Sequence, residues 1–299
     1  MNQASNRAGA LGALSASMLI FGTIGLFRRW IPVSSPLLAL TRAVLGTVFL
    51  LAFCATRRHR LTLRLPRGRL ALLMLSGALI GFNWIALFES YRFTTVAVAT
   101  LCYYMQPTIL ILLSPLLFGE ALNRRRGLCA AAAVAGMVLV SGVDASMGDG
   151  RGIVLGLGAA ALYAAVVVLN KKTPGVDPLQ RTVIQLGAAA ITLLPYVLLT
   201  ERWGAVQMDL RCVLTLLVVG LVHTGLAYAL YFSSVEALSA QTIALMSYID
   251  PVSALLFSAL LLREPLGLRG ALGAALILVP VAVSELMPEK NATESFETP

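Results

Sequence analysis

Three ionisable side chains, Arg42, His223 and Asp250, stand inside apolar stretches of this 299-residue chain, where each needs a chemical reason to be. At mid-bilayer a charged group costs roughly 2.5–3.5 kcal/mol on insertion scales, so it must meet a partner, a substrate or water. Asp250 is followed at once by Pro251, and Gln106 before Pro107 repeats the arrangement earlier. Proline removes one helical hydrogen bond and bends the helix, leaving a carbonyl one turn back open to a ligand. Asp250 reads as a site for a substrate amine or a proton, or as a carboxylate that tethers its helix to a neighbour. His223 would share a helical face with Ala227 and Tyr231, with Thr224 and Tyr228 on an adjoining face. It reads as a proton relay with Asp250 or as a hydrogen-bonded packing group. Arg42 lies about 10 Å from the nearer end of its helix at 1.5 Å per residue. It either snorkels to the surface or pairs with a substrate carboxylate or with Asp250.

Further candidates for a cavity are Asn83, Trp84, Tyr103, Tyr104, Tyr163, Tyr228 and Tyr248, together with Gln106. Tyrosine and tryptophan offer an apolar face and a polar tip, which suits a small ligand of mixed character. Trp30 and Trp203 sit at loop edges and read as interfacial anchors. The chain has no HExxH, no Ser and His with an orienting acid, and no glycine-rich nucleotide loop, so no catalytic residues, metal ligands or cofactor are expected. Cys54, Cys102, Cys129 and Cys212 form no CxxC and read as small buried hydrophobes.

The elements that must position these groups follow from composition. Hydrophobic residues make up 58% of the chain and charged ones 12%. Apolar runs of the length needed to cross a bilayer recur along it. Ten spans are expected, near 8–27, 36–56, 69–88, 94–117, 127–143, 152–170, 182–200, 212–232, 238–262 and 267–284. The net charge of +9 is scattered over connections on both faces and points to solvated loop ends and anionic headgroups, not to nucleic acid. The first span has no cleavage site after it and ends in Phe27, Arg28, Arg29 and Trp30, which reads as an interfacial stop and not a signal peptide. Gly77 with Gly81, Gly152 with Gly156, and the run Ala130 to Ala133 predict close helix approach.

The chain is also duplicated. Leu101, Tyr104, Pro107, Ser114, Glu120, Leu122, Arg125 and Leu128 recur at one constant offset as Leu245, Tyr248, Pro251, Ser258, Glu264, Leu266, Arg269 and Leu272. Five spans per copy is an odd number, so the copies enter the membrane from opposite sides. The expected architecture is an all-α polytopic membrane protein with ten transmembrane helices as two inverted five-helix repeats, residues 1–144 and 145–288, and a polar tail at 289–299. Pro107 and Pro251 break the central helix of each copy, as expected around a midplane binding site. Lys and Arg favour the N-terminal side, chiefly through six arginines between Arg57 and Arg69. Both termini are therefore expected in the cytoplasm.

Tyr104, Gln106, Pro107, Gly119, Glu120 and Leu122, repeated as Tyr248, Asp250, Pro251, Arg263, Glu264 and Leu266, resemble the EamA-type proteins of the drug/metabolite transporter superfamily. Arg263 stands where that pattern has glycine. The resemblance implies a bacterial inner-membrane carrier, commonly an exporter, that works by alternating access. It also implies that Glu120 and Glu264 are structural, fixing helix ends beside Arg125 and Arg269. One acid, one base, a histidine and several tyrosines favour an amino acid or an amino-acid-derived compound, including opine-like metallophores. An imported vitamin or nucleotide-like metabolite and broad drug efflux remain open, and a channel or an intramembrane enzyme are rivals of a different class. Expected partners are a small-molecule substrate, the lipid bilayer and a proton as coupling ion. A homodimer or an outer-membrane efflux partner stays open.

Overall fold

Helix boundaries follow the apolar runs and their caps. The computed structural model describes residues 3–58, 61, 65–118, 124–144, 150–206, 208–235, 237–238, 240–264 and 266–286. Helix α1 (Gln3–Gly22) breaks at Thr23 and continues as α2 (Ile24–Trp30). Next come α3 (Ser35–Thr56), α4 (Arg67–Phe93), and the two halves of one crossing, α5 (Val96–Tyr103) and α6 (Gln106–Phe118). After α7 (Arg124–Asp144), α8 (Arg151–Lys171) and α9 (Pro178–Thr200), α10 (Leu210–Leu217) passes through a π-helical stretch, Val218–Leu226, into α11 (Ala227–Val235). The chain closes with α12 (Ala240–Ser247), α13 (Ile249–Leu261) and α14 (Gly267–Leu286). Among the described residues there is no strand. Seven helical segments are long and apolar enough to cross a membrane, and three shorter apolar helices, Gly127–Val140, Ile249–Leu261 and Gly267–Pro280, lie where spans 5, 9 and 10 were expected. The third span runs to Phe93, five residues beyond its predicted end. Glu120 and the tail at 289–299 lie outside the described residues.

Helix starts carry side-chain acceptors, because the first backbone donors of a helix lack internal partners. Ser34 takes the Leu37 N–H, Thr95 the Val98 N–H, Asp177 the Gln180 N–H and Asp209 the Cys212 N–H. Polarity is distributed inside out: Leu116 is 88% and Leu199 86% exposed, whereas Arg42, Asn83, His223 and Gln185 are buried. Lipid tails accept leucine, so the polar groups are left to meet one another in the bundle.

Small residues set how closely the helices approach. A Cβ on Gly81 of α4 would lie 2.9 Å from Leu193 of α9, one on Gly156 of α8 2.7 Å from Cys102 of α5, and one on Gly136 of α7 2.7 Å from the Gly273 carbonyl of α14. The packing has a two-fold pattern. Helix α4 lies along α8 and α9, and correspondingly the α10–π–α11 crossing lies along α1 and α3; α5 meets α8 as α12 meets α1, and α6 meets α8 as α13 meets α1; α3 meets α9, and α7 meets α14. Exchanging the two halves maps each of these contacts onto another or onto itself.

The broken crossings stop at equivalent places. In the first, the interruption falls at Tyr104 and Met105, and in the second at Tyr248. Pro107 and Pro251 then sit in the first turn of the following half-helix, where a missing N–H is tolerated.

Candidate substrate cavity

Between the two halves lies a cavity of about 500 Å³. Its wall comes from α1 to α6, α8, α9 and α11 to α13, and both broken crossings face it through Tyr103, Tyr104, Gln106, Pro107, Ser247, Tyr248 and Asp250. Gly22 brings α1 against the turn of Asp250, since a Cβ there would lie 2.8 Å from the Asp250 carbonyl.

Arg42 and Asp250 are the charged pair at its centre. Arg42 is 5% exposed, and its Nε donates to Thr224 Oγ1 at 2.8 Å. Its guanidinium lies over the Trp84 ring at 4.3 Å and near Phe88 at 5.6 Å, a cation–π arrangement that fixes the plane of the fork. Asp250 Oδ2 accepts from the Tyr104 hydroxyl at 2.8 Å. Among the described residues Arg42 and Asp250 form no direct ion pair, and the Nη atoms of Arg42 and Oδ1 of Asp250 have no protein partner. The cavity therefore presents a free donor fork and a free acceptor. Arg42 does not snorkel; Thr224 and Trp84 hold it in the bundle.

The tyrosines line the cavity in two aromatic groups. Tyr103 touches Tyr104 and Tyr163 at centroid distances of 6.1 and 5.6 Å, and Tyr228 packs with Phe21 and Phe232 at 5.3 and 6.0 Å. Trp84, Gln106 and Tyr248 join this wall.

Two expected cavity residues stand elsewhere. Asn83 is fully buried and donates Nδ2–H to the Ala159 carbonyl at 2.6 Å, which ties α4 to α8. His223 lies behind the cavity wall, 2.8 Å from Thr23 Oγ1 and edge-on to Phe27 at 4.5 Å. The Thr23 hydroxyl is also 2.7 Å from the Ile20 carbonyl, and Nδ1 of His223 faces the Val218 carbonyl at 3.5 Å, so the direction of the Thr23–His223 bond follows the tautomer of the ring. The shared face expected for His223 and Tyr231 assumed an ordinary helix. The π-helical turn between them is wider, and Tyr228 and Tyr231 both reach the cavity while His223 does not.

One end of the cavity is sealed and the other reaches the surface. The lining extends to Asn170, Pro178, Arg181 and Thr182, at the face of the 172–177 connection. At the opposite face Arg29 pairs with Glu264 at 2.6 Å and donates to the Thr94 carbonyl at 3.0 Å. Glu264 Oε2 also accepts from the Val96 N–H at 3.0 Å and from Ser258 at 2.8 Å. The partner of Glu264 is thus Arg29 across the halves and not the nearby Arg269, because the carboxylate caps α5, where Arg29 also arrives. Arg28, Ser35, Glu89 and Arg92 form a second chain of polar contacts there, and Ser34 donates to Glu201. A separate depression of about 600 Å³ on this face shares no lining residue with the central cavity.

A multi-pass helical membrane protein built on a duplicated unit, with a central cavity closed at one face, has the build expected of a transporter. The comparisons agree. The chain belongs to the EamA-like transporter family, whose profile matches residues 8–142 and again 150–285. It is similar to the uncharacterized transporter YxxF of Bacillus subtilis, 29% identical over 289 residues that span 94% of this chain and 91% of the relative. It is also similar to Protein PecM of Dickeya dadantii, 33% identical over 211 residues covering 69% of this chain and 70% of that one. A solved crystal structure shares the fold, with a TM-score of 0.65 at 23% identity over 94% of this chain and 97% of the other.

Several cavity residues escaped sequence reasoning. Tyr91, Thr100, Asn170, Arg181 and Gln185 all line it. Asn170 and Gln185 carried a usable signal, being amides in the sixth and seventh apolar stretches. Arg181 reads in the sequence as one more loop charge.

Proposed function

We propose that the protein is a secondary transporter of the bacterial inner membrane that exports a small zwitterionic metabolite, an amino acid or amino-acid-derived compound, by alternating access. The two repeats, 1–144 and 145–288, rock against each other around the cavity, and both termini lie in the cytoplasm. In this orientation the conformation is inward-facing, with the Arg29–Glu264 side closed. The observation that supports the substrate class is the unpaired Arg42 and Asp250 in one cavity. A carboxylate on Arg42 and an amine near Asp250 satisfy both at once, whereas an apolar drug would bury two uncompensated charges. Asp250 carries the coupling proton when the cavity is empty of substrate.

The test compares metabolites inside and outside cells that lack or overproduce the protein, and repeats the comparison with Asp250→Asn. Export predicts a compound retained in the deletion strain and depleted from its medium. Depletion of the medium by overproducing cells reverses the direction proposed here. Counterflow in liposomes, stimulated by substrate on the far side, separates a carrier from a channel.

A further inference from the structure

The cavity mouth carries polar groups that the central pair does not use. Gln185, 4% exposed, donates one amide proton to Ser76 Oγ at 2.6 Å and the other to Asn170 Oδ1 at 2.8 Å. With both protons engaged, its Oε1 remains as an acceptor on the cavity wall. Asn170, whose Oδ1 is taken, is left with Nδ2 as a donor. Arg181, one turn earlier on α9, uses only Nη2, on the carbonyls of Thr173 at 3.0 Å and Val176 at 3.5 Å. Its Nη1 has no protein partner among the described residues, and its Nε is buried with none. Thr182, beside it, is turned back onto the Pro178 carbonyl at 3.0 Å. Asp177, the cap of α9, takes the Gln180 N–H and offsets part of the Arg181 charge.

Arg181, Asn170 and Gln185 all line the central cavity. One guanidinium and one amide donor beside a single acceptor match a carboxylate that carries a neighbouring N–H, the head group of an amino acid. We infer that these three residues form a first binding station, which takes the carboxylate end of the substrate at the cavity mouth before Arg42 takes it at the centre. The inference rests on the zwitterion reading above and adds a second site to it.

Helix geometry separates the stations. Arg181 and Gln185 lie roughly 5 and 10 Å along α9 from its start, while Arg42 lies about 20 Å along α3 from the end at the same face. A carboxylate moving inward leaves water at the mouth. Without Arg181 it would cross that gap with no cation until it reached Arg42, and the cost of stripping its hydration would fall on the entry step.

The experiment uses the full-length protein in liposomes, with the twenty proteinogenic L-amino acids and their methyl esters as probes for thermal stabilisation and counterflow. For the acids that wild type exchanges, Arg181→Gln raises the half-saturating concentration about tenfold and leaves the maximal rate within about twofold. Asn170→Ala acts in the same direction by a smaller factor. The corresponding methyl esters, which lack the charge, are unaffected by either substitution. A structural role would weaken acid and ester alike, so an equal loss for both overturns the station, as does no change for either. Melting curves without probe show whether each variant is folded, and Arg181→Lys, which keeps the charge, recovers part of the acid's affinity. If neither these amino acids nor the compound identified by the cell comparison above stabilises or exchanges with wild type, the zwitterion reading itself fails and the station fails with it.

Discussion

The Tyr104 hydroxyl donates to Asp250 Oδ2 at 2.8 Å, and so joins the broken crossing of one repeat to the broken crossing of the other. Tyr104 stands at the first interruption, and Asp250 two residues after the second. The bond therefore crosses the plane about which the halves would have to move, and it occupies one of the two oxygens a substrate amine would meet.

Asp250→Asn keeps the shape of the side chain and removes its charge. We expect substrate flux to fall at least about tenfold with the fold retained. Tyr104→Phe should give a smaller loss of flux and cost about 1 kcal/mol of stability, the usual worth of one hydrogen bond. Counterflow and melting curves on the two variants check this; a wild-type rate in Asp250→Asn would remove Asp250 from the transport path.

Arg42→Lys retains the charge but loses the planar fork, the Nε bond to Thr224 and the stacking on Trp84. Flux should drop nearly as far as in Arg42→Gln. Full activity in the lysine variant would mean that only a positive charge is needed there.

The Arg29–Glu264 pair is partly exposed, so its contribution to stability is small, about 1 kcal/mol or less. Its effect should show in conformation. With the four native cysteines replaced by alanine and Tyr104→Cys added, Glu264→Gln is expected to let a membrane-impermeant maleimide reach the new thiol from the Arg29 face. The double exchange Arg29→Glu with Glu264→Arg restores the ion pair but removes the acceptor of the Val96 N–H, and so should restore protection only in part. Labelling as slow as in the parent would show that the pair does not seal that face.

His223 is hydrogen-bonded through Nε2 to Thr23, faces the Val218 carbonyl with Nδ1, and stands behind the cavity wall. His223→Gln, which offers both a donor and an acceptor but does not titrate, should slow flux modestly and leave its response to an imposed pH gradient intact. Loss of that response would place the histidine in the proton path.

Gly22→Val puts side-chain atoms where the Asp250 carbonyl and Ser253 already lie. Overpacking of this kind costs about 1–3 kcal/mol. A lower melting temperature together with loss of substrate stabilisation is expected, whereas the open Gly158 should accept alanine without either effect.

The apolar runs, their number of residues and the recurrence of Tyr104, Pro107 and Glu120 as Tyr248, Pro251 and Glu264 determine a duplicated helical membrane protein. Those signals are local and periodic, and in a bilayer an apolar run of span length satisfies its backbone within itself as a helix. The breaks at Tyr104–Met105 and at Tyr248 precede Pro107 and Pro251, whereas the break at Thr23 has no proline beside it and Pro195 lies inside an unbroken helix. Which ionisable groups share a cavity was not legible. The π-helical stretch from Val218 to Leu226 shifts the rotational register of everything beyond it, which separates His223 from Tyr231. Arg29 and Glu264 are 235 residues apart and meet only because the ends of two crossings converge on the start of α5. Amphipathic period tells which residues avoid lipid, but not which polar neighbour each finds, and that choice belongs to the packing of the two halves.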